Sequence, residues 1–324
     1  MKFTNIEKNK KYPIIIWGHP KGTHTHSWIH YRFFRAFRYL GFDVQWLENK
    51  KKNLPNKNKD YIIITETGQD RILLENFSNK WRVFDHNISH KRYSELKNKN
   101  IIPFGVIRYN LAKFTDKKIG QYITEWDTPI MDTEEYYFQL KNPRILRGSE
   151  LLPHEISHTP YHYNNNKDVI FIGSRRHNNF IQLEQLRFRC IKNKKRFKQY
   201  GKHILLRQPF FNSSFVSPED MEEISRSAYI APALQGVQVD DGYIPCRLFI
   251  NMSLSILAVS NNPYVYNLFD NDEVIVDRNI GKMMEKAERI IRDKKVDQYT
   301  KKALKKVKEE HTYINRIEEL FSYL

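Results

Sequence analysis

The chain has 324 residues, of which 54 are lysine or arginine and 37 are aspartate or glutamate, so its formal net charge is +17. Hydrophobic residues at 40% and aromatic residues at 14% exclude a disordered chain, and the length predicts two domains. Two cysteines, Cys190 and Cys246, are too few for a disulfide framework. Because no apolar run reaches about 18 residues and the N-terminus lacks a signal-peptide core, we expect a cytoplasmic protein.

The first half of the chain alternates apolar runs with polar loops and helical patterns. Residues 27–41 have a helical pattern in which Ser27 can cap the start and Gly41 can end the helix. Strands alternating with helices predict an α/β domain with a parallel sheet. The predicted strands of this half are residues 12–17, 42–47, 60–67, 81–87 and 100–110.

The second half repeats this organisation after a linker-like stretch, residues 143–166, that is rich in Pro, His, Tyr and Asn. A strand ending in Gly173 precedes a basic helix that we predict to reach Tyr200, and the chain from residue 280 onwards is predicted to be mainly helical. Ligands of α/β domains bind at the carboxyl ends of the strands, so the loops after the strands are the candidate sites. Further strands are predicted at residues 202–210, 228–234, 255–260 and 271–277.

The loop that follows the strand at residues 228–234 has the features of a phosphate site. It is polar and contains glycine, and it opens a helix near Pro245 that carries Arg247. Unpaired backbone N–H groups at a helix start, together with an arginine, bind phosphate well. The alternative is that Arg247 is an ordinary surface arginine on a helix.

The second half also resembles a known family, on three segments. Residues 242–262 resemble the donor-site segment of GT-B-fold glycosyltransferases, in particular the CgeB-like group, residues 311–324 resemble its terminal helix motif, and residues 171–179 resemble the first strand and loop of its C-terminal domain. The resemblance implies two Rossmann-like domains facing across a cleft, with the C-terminal helix packing back on the N-terminal domain. On this basis we assign residues 1–160 with 308–324 to an acceptor-side domain and residues 161–307 to a nucleotide-sugar-binding domain.

The resemblance also implies roles for single residues around the donor. Arg247 would meet the donor pyrophosphate, and the family's acidic residue after Arg-x-Phe is replaced here by Ile250, with Asn251 next to it as a residue that could bind a hydroxyl. Further residues predicted to line the donor site are Gly173, Ser174, Arg175, Arg207, Gln235, Gly242, Tyr243 and Pro245.

The acceptor side offers candidates for acid–base chemistry after the strands of the first half. His24 and His26 lie in the loop after the first strand, and an imidazole there could accept the proton of an acceptor hydroxyl. Asp85 is a third candidate, and Glu66 and His86 also follow strands, although such residues often cap the next helix. A retaining transfer would not need such a base, so these assignments depend on the stereochemistry.

Two motifs suggest metal chemistry. His154-Glu155-Ile156-Ser157-His158 matches the HExxH motif of zinc hydrolases, but Pro153 and Pro160 leave room for little more than one helical turn. Asp270-Asn271-Asp272 matches the Asp-x-Asp motif literally, and its context predicts a surface turn. We therefore expect no metal site, although a zinc hydrolase stays an alternative.

The sequence thus predicts a metal-independent glycosyltransferase that moves a sugar from a nucleotide-diphospho-sugar to a hydroxyl of a glycan, protein or small molecule. The donor is a substrate, and no further cofactor is expected. Basic runs at residues 50–59, 192–198 and 282–308 look like loops and solvated helix faces, and no nucleic-acid recognition motif accompanies them. We therefore expect no specific nucleic-acid partner, and a polyanion-binding protein stays an alternative.

Overall fold

The computed structural model describes residues 3–20, 25–66, 68–86, 100–104, 149, 151–162, 168–173, 179–201, 218–236 and 244–324. The chain divides into two compact units, residues 1–147 with 313–324 and residues 148–312. The boundaries drawn from the sequence were residue 160 and residue 308. Residues of the linker-like stretch lie with the second unit, since Ser149 pairs with Thr312 and the Ser253 hydroxyl bonds to the Ser149 hydroxyl at 2.5 Å.

The first unit contains a five-stranded parallel sheet in the order β2-β1-β3-β4-β5. Every residue of β1 is buried, as the continuous apolar run in the sequence predicts for a parallel strand covered on both faces. The α/β class with parallel strands is therefore confirmed for this half. The strands are β1 (Ile14–Gly18), β2 (Val44–Glu48), β3 (Tyr61–Glu66), β4 (Trp81–His86) and β5 (Ile101–Phe104).

The helices of this unit are α1 (Thr4–Asn9), α2 (Thr25–Tyr39), α3 (Arg71–Glu75) and the last helix of the chain, α9 (Tyr313–Phe321). α2 begins two residues before the predicted cap, so Ser27 is buried inside the helix. Gly41 follows its end with φ of +80°, the conformation that glycine tolerates best and the reason it can end the helix.

α9 packs on α1 and α2, as the resemblance implies for the terminal helix. Its Phe321 ring lies 5.8 Å from the ring of Phe37 and 6.3 Å from that of Phe84, and Tyr313 meets Phe33 edge-on at 4.9 Å. The Glu318 carboxylate accepts hydrogen bonds from the backbone N–H groups of residues 5 and 6, each at 2.9 Å. A carboxylate at the start of α1 satisfies amides that have no partner within the helix.

The second unit is a further α/β arrangement. Its strands are β6 (Val169–Ile172), β7 (Phe197–Tyr200), β8 (Val259–Ser260) and β9 (Ile275–Val276), and its helices are α4 (Phe180–Lys192), α5 (Pro218–Arg226), α6 (Cys246–Ser253), α7 (Ile280–Arg292) and α8 (Val296–Glu310). β6 pairs in parallel with β7, and β8 with β9. The segment 230–233 joins the two pairs through parallel bridges from Ile230 to Val169 and from Ala233 to Ser260. All these strands therefore end at the same edge.

The basic helix predicted to reach Tyr200 ends earlier. α4 stops at Lys192, Lys194 adopts a positive φ of 52°, and the chain then enters β7. A residue in this left-handed conformation cannot continue an α-helix, and the high charge of the segment hides the strand from its sequence pattern. The predicted strand at residues 202–210 lies outside the described residues.

Part of the basic run 192–198 is balanced by one buried carboxylate, that of Asp168 at the start of β6. Asp168 is 1% exposed, and it meets Arg196 at 2.6 and 2.9 Å and Lys198 at 2.5 Å. Burial opposes ionisation of Asp168, but the hydrogen bonds and charges of Lys198 and Arg196 outweigh it and hold the pKa of this carboxyl below its ordinary value.

Asp168→Asn is expected to lower the free energy of unfolding by about 1–3 kcal/mol at neutral pH, because it removes the charge that both cations face. A depressed pKa stabilises the folded state fully above the ordinary carboxyl pKa, and this contribution disappears as the pH falls through the lower, folded-state pKa. Denaturant unfolding at pH 7 and at pH 3 measures both effects. Asp272→Asn, which removes the exposed partner of Lys302, is the matched control and should change stability little.

No helix in the described part of the chain combines the length and the apolar character needed to cross a bilayer.

Candidate functional site

The second unit holds Arg247 against the carboxyl end of β6. Arg247 is the second residue of α6, and Pro245 precedes that helix with an extended backbone (φ −73°, ψ 146°). The guanidinium carbon of Arg247 lies 4.3 Å from the centre of the Phe171 ring, which fixes the planar group by a cation–π contact. Arg247 keeps part of its surface exposed at the start of α6.

Gly173 makes room for this arginine. A Cβ atom at position 173 would lie 2.1 Å from an Nη atom of Arg247. Gly173 is also held from both sides, because its N–H donates to the Tyr200 carbonyl at 2.7 Å and its carbonyl accepts from the Gln199 side chain at 3.1 Å. The structure thus brings together two of the residues predicted at the donor phosphates, one at a strand end and one at a helix start.

Gly173→Ala is expected to weaken binding of a nucleoside diphosphate, because the new methyl group displaces the guanidinium from its place over Phe171. Isothermal titration with UDP measures the effect, and we expect about a tenfold weaker affinity. Gly68→Ala is the control for backbone strain, since Gly68 also has a positive φ (93°) but no atom within 4 Å of the added Cβ. Unchanged UDP affinity in Gly173→Ala would contradict this role for Gly173.

The other predicted donor residues have different places. Gln235 is buried at the end of the segment 230–234. Asn251 is buried too, and its side-chain amide donates to the Ala231 carbonyl at 2.7 Å, a contact that ties α6 to the sheet. Five of the predicted donor residues lie outside the described residues: Ser174, Arg175, Arg207, Gly242 and Tyr243.

The first unit gathers ionisable side chains at the carboxyl edge of its sheet. β3 and β4 are in register so that Thr65 pairs with Asp85 and Glu66 with His86. Glu66, Asp85 and His86 are each at most 1% exposed. Buried carboxylates and imidazoles at one edge can hold and pass protons, which is the chemistry expected of an acceptor site.

Two more histidines join this edge. His19 follows β1, and its Nε2 atom lies 3.3 Å from the Glu66 carboxylate. His30 is buried in α2 with its ring 5.6 Å from that of His86. His24 lies outside the described residues, and His26 lies in α2 with a side chain that is not described. The pairing of His19 with Glu66 was not predicted, and its only sequence signal is that both residues lie at the carboxyl ends of strands.

The HExxH segment does not form the helix that a zinc hydrolase needs. Only residues 153–155 make a short 3₁₀ turn, after which the chain is extended at Ile156. His158 instead contacts the Thr300 hydroxyl at 3.3 Å, and the Glu155 carboxylate accepts from the backbone N–H of Leu152. Burial lowers the pKa of His158. Within the described ranges no three His, Cys, Asp or Glu side chains are grouped as metal ligands.

Comparison with known proteins shows what the chain is similar to. Residues 175–322 match the model of a family described as glycosyl transferase-like. These residues are therefore similar to that family. No curated protein matches the chain.

Solved structures extend the likeness to almost the whole chain. An alpha-glucosyltransferase in complex with UDP and a 13-mer DNA containing an HMU base aligns with a TM-score of 0.65 and 13% identity, over 96% of this chain and 98% of that one. An alpha-glucosyltransferase (AGT) in complex with UDP aligns with a TM-score of 0.65 and 12% identity, over 96% and 99%. The chain thus has the α/β fold of GT-B glycosyltransferases, with two Rossmann-like units and parallel sheets.

Proposed function

We propose that this protein is a glycosyltransferase that transfers a sugar from a nucleoside diphospho-sugar to a hydroxyl group, and that it belongs to the CgeB-like group. The observation that carries the proposal is Arg247, fixed over Phe171 at the start of α6 and against Gly173. A guanidinium at the start of a helix is a favourable binding site for a diphosphate. The UDP present in the similar alpha-glucosyltransferase structures supports uridine as the nucleoside of the donor.

We further propose that protein cations, and not a divalent metal, balance the charge of the departing diphosphate. Arg247 is the leading group for this role, because a positive charge that is already in place stabilises a leaving anion without reorganisation. The Asp270–Asp272 segment supports this proposal, since Asp272 is paired with Lys302 in a surface turn. Turnover that persists in excess EDTA is the expected result.

In the first unit, Asp85 and its neighbours at the carboxyl edge of the sheet serve the acceptor. A carboxylate there can orient the acceptor hydroxyl and take up its proton as the new glycosidic bond forms. Glu66 and His19, 3.3 Å apart, can hold a second proton at the same edge. These roles concern the first unit alone and are independent of how the donor is bound.

A nucleic-acid acceptor is a second candidate, and it departs from the prediction made from the sequence. The +17 net charge favours a polyanionic substrate, and one similar structure contains DNA with an HMU base. Several cations of the basic runs are paired with acids, among them Lys195 with Glu288 and Lys286 with Asp277. Others are exposed, on helix faces at Lys282, Lys301 and Lys305 and in the turn after α7 at Lys294.

The decisive experiment incubates the protein with UDP-glucose labelled in the sugar and with a set of acceptors. The set contains DNA with an HMU base, the same DNA with unmodified bases, and free sugars. Label transferred to any hydroxyl acceptor supports the glycosyltransferase, and transfer to the HMU-containing DNA alone supports the second candidate. Salt-sensitive DNA binding without UDP binding would favour a polyanion-binding protein instead.

A further inference from the structure

Gln235 occupies a central place at the carboxyl edge of the second unit. It directly follows the segment 230–234, which lies between β6 and β8. Its backbone is clamped by one neighbour, Asn261, whose side chain accepts from the Gln235 N–H at 2.8 Å and donates to the Gln235 carbonyl at 2.7 Å. The Gln235 side chain is therefore fixed at its root, and only 4% of the residue is exposed.

The orientation of the Gln235 amide is also determined. The backbone N–H of Tyr264 can only donate, and it bonds to Oδ1 of Asn262 at 3.0 Å. Nδ2 of Asn262 then points the other way and donates to Oε1 of Gln235 at 2.8 Å. Because one backbone donor fixes both amides in turn, Nε2 of Gln235 faces away from Asn262.

That Nε2 atom is buried and has no hydrogen-bond partner in the described part of the chain. Buried amide donors are almost always paired in proteins, and an unpaired one is costly. The oxygen of the same amide, by contrast, is bonded at good distance. An oriented, buried donor group at the edge where ligands of α/β domains bind is the signature of a contact that a ligand completes.

We propose that Nε2 of Gln235 donates a hydrogen bond to an uncharged oxygen of the donor substrate, and that Asn262 is the positioning residue that sets the direction of this bond. The inference rests on the proposed function. A neutral amide suits a neutral oxygen, whereas the diphosphate charge is met by Arg247. The oxygen belongs either to a hydroxyl of the sugar or to the nucleoside, and the two sources differ in one measurable way.

The test exploits an isosteric change that does not touch the ligand. In Asn262→Asp, one carboxylate oxygen still accepts from the Tyr264 N–H, but the other cannot donate to Gln235. The Gln235 amide therefore turns over, bonds to the carboxylate through Nε2 and presents Oε1 to the ligand. We expect binding to weaken about tenfold while the melting temperature stays near that of the wild type, whereas a merely structural role predicts unchanged binding.

Gln235→Leu separates loss of the donor from the added negative charge. It carries no charge and no N–H group, so we expect a similar weakening, measured by isothermal titration of UDP and of UDP-glucose. Equal losses for both ligands assign the bond to the nucleoside, and a loss for UDP-glucose alone assigns it to the sugar. Wild-type affinity of Gln235→Leu for both ligands overturns the proposal, and wild-type affinity of Asn262→Asp alone overturns the positioning role.

Failure of this inference and failure of the proposed function are distinguishable. A wild-type protein that binds neither UDP nor UDP-glucose contradicts both. If the wild-type protein binds UDP, and Arg247→Ala weakens this binding while Gln235→Leu and Asn262→Asp leave the affinity for both ligands unchanged, only the Gln235 contact is contradicted.

Discussion

UDP is expected to bind the Arg247→Ala variant about 30-fold more weakly than the wild-type protein, because the variant lacks the guanidinium that we propose to face the diphosphate. Hydrogen bonds to charged groups contribute about 1.5–3 kcal/mol each, and about 2 kcal/mol corresponds to this factor. Isothermal titration measures the affinity directly. Arg247 is partly exposed and packs on Phe171 mainly through its guanidinium, so we expect the variant to fold.

Arg247→Lys is the matched variant for charge. It keeps a cation but loses the planar fork and the stacking on Phe171, so an affinity between those of wild type and Arg247→Ala is expected. The salt dependence of UDP binding should follow the charge and stay similar in wild type and Arg247→Lys. If UDP bound all three proteins equally well, Arg247 would be an ordinary surface arginine and the diphosphate site would have to lie elsewhere.

Asp85→Asn is expected to lower the turnover number by a factor of about 10² to 10⁴, the range typical of a lost acid–base group. The substitution keeps the shape of the buried side chain and removes its ability to take up a proton. UDP affinity should not change, since the residues proposed to bind the diphosphate all belong to the second unit. Steady-state kinetics with a saturating donor, together with UDP titration, measure the two quantities separately.

Glu66→Gln provides the comparison for Asp85→Asn at the same sheet edge. It changes a carboxylate that is equally buried but faces His19, so it tests whether any lost charge at this edge has the same effect. A smaller loss of turnover than in Asp85→Asn is expected. Turnover of Asp85→Asn close to that of the wild type would remove Asp85 from the reaction and favour a transfer that needs no protein base.

The strands were predictable from the sequence because parallel strands covered on both faces leave continuous apolar runs. β1 and β3 are the clearest examples, with isoleucine at three successive positions in each. β7 was missed for the opposite reason, since adjacent lysine and glutamine residues lie between its two aromatic residues and make it resemble the basic helix before it. The place of α9 followed only from the resemblance to a family, because no local pattern says which unit a terminal helix will join.

The candidate site was predictable in its residues more than in its contacts. Gly173 was singled out as a strand end and Arg247 as a residue at a helix start. The sequence does not reveal that the guanidinium of Arg247 fills the space that a side chain at position 173 would take. The ring of Phe171 under Arg247 was not anticipated, because an aromatic residue within an apolar strand predicts only core packing. Asn262 was missed as well, although the Asn-Asn-Pro sequence directly after a predicted strand marks a candidate loop.

The return of α9 to the first unit also has a consequence for synthesis of the protein. The first unit cannot complete the aromatic cluster around Phe321, Phe37 and Phe84 until the whole of the second unit has left the ribosome. During translation the first unit therefore lacks α9, and the apolar surface that α9 covers stays exposed. Residues 148–312, by contrast, can fold as soon as they emerge. The unit that is made first is the one that is finished last.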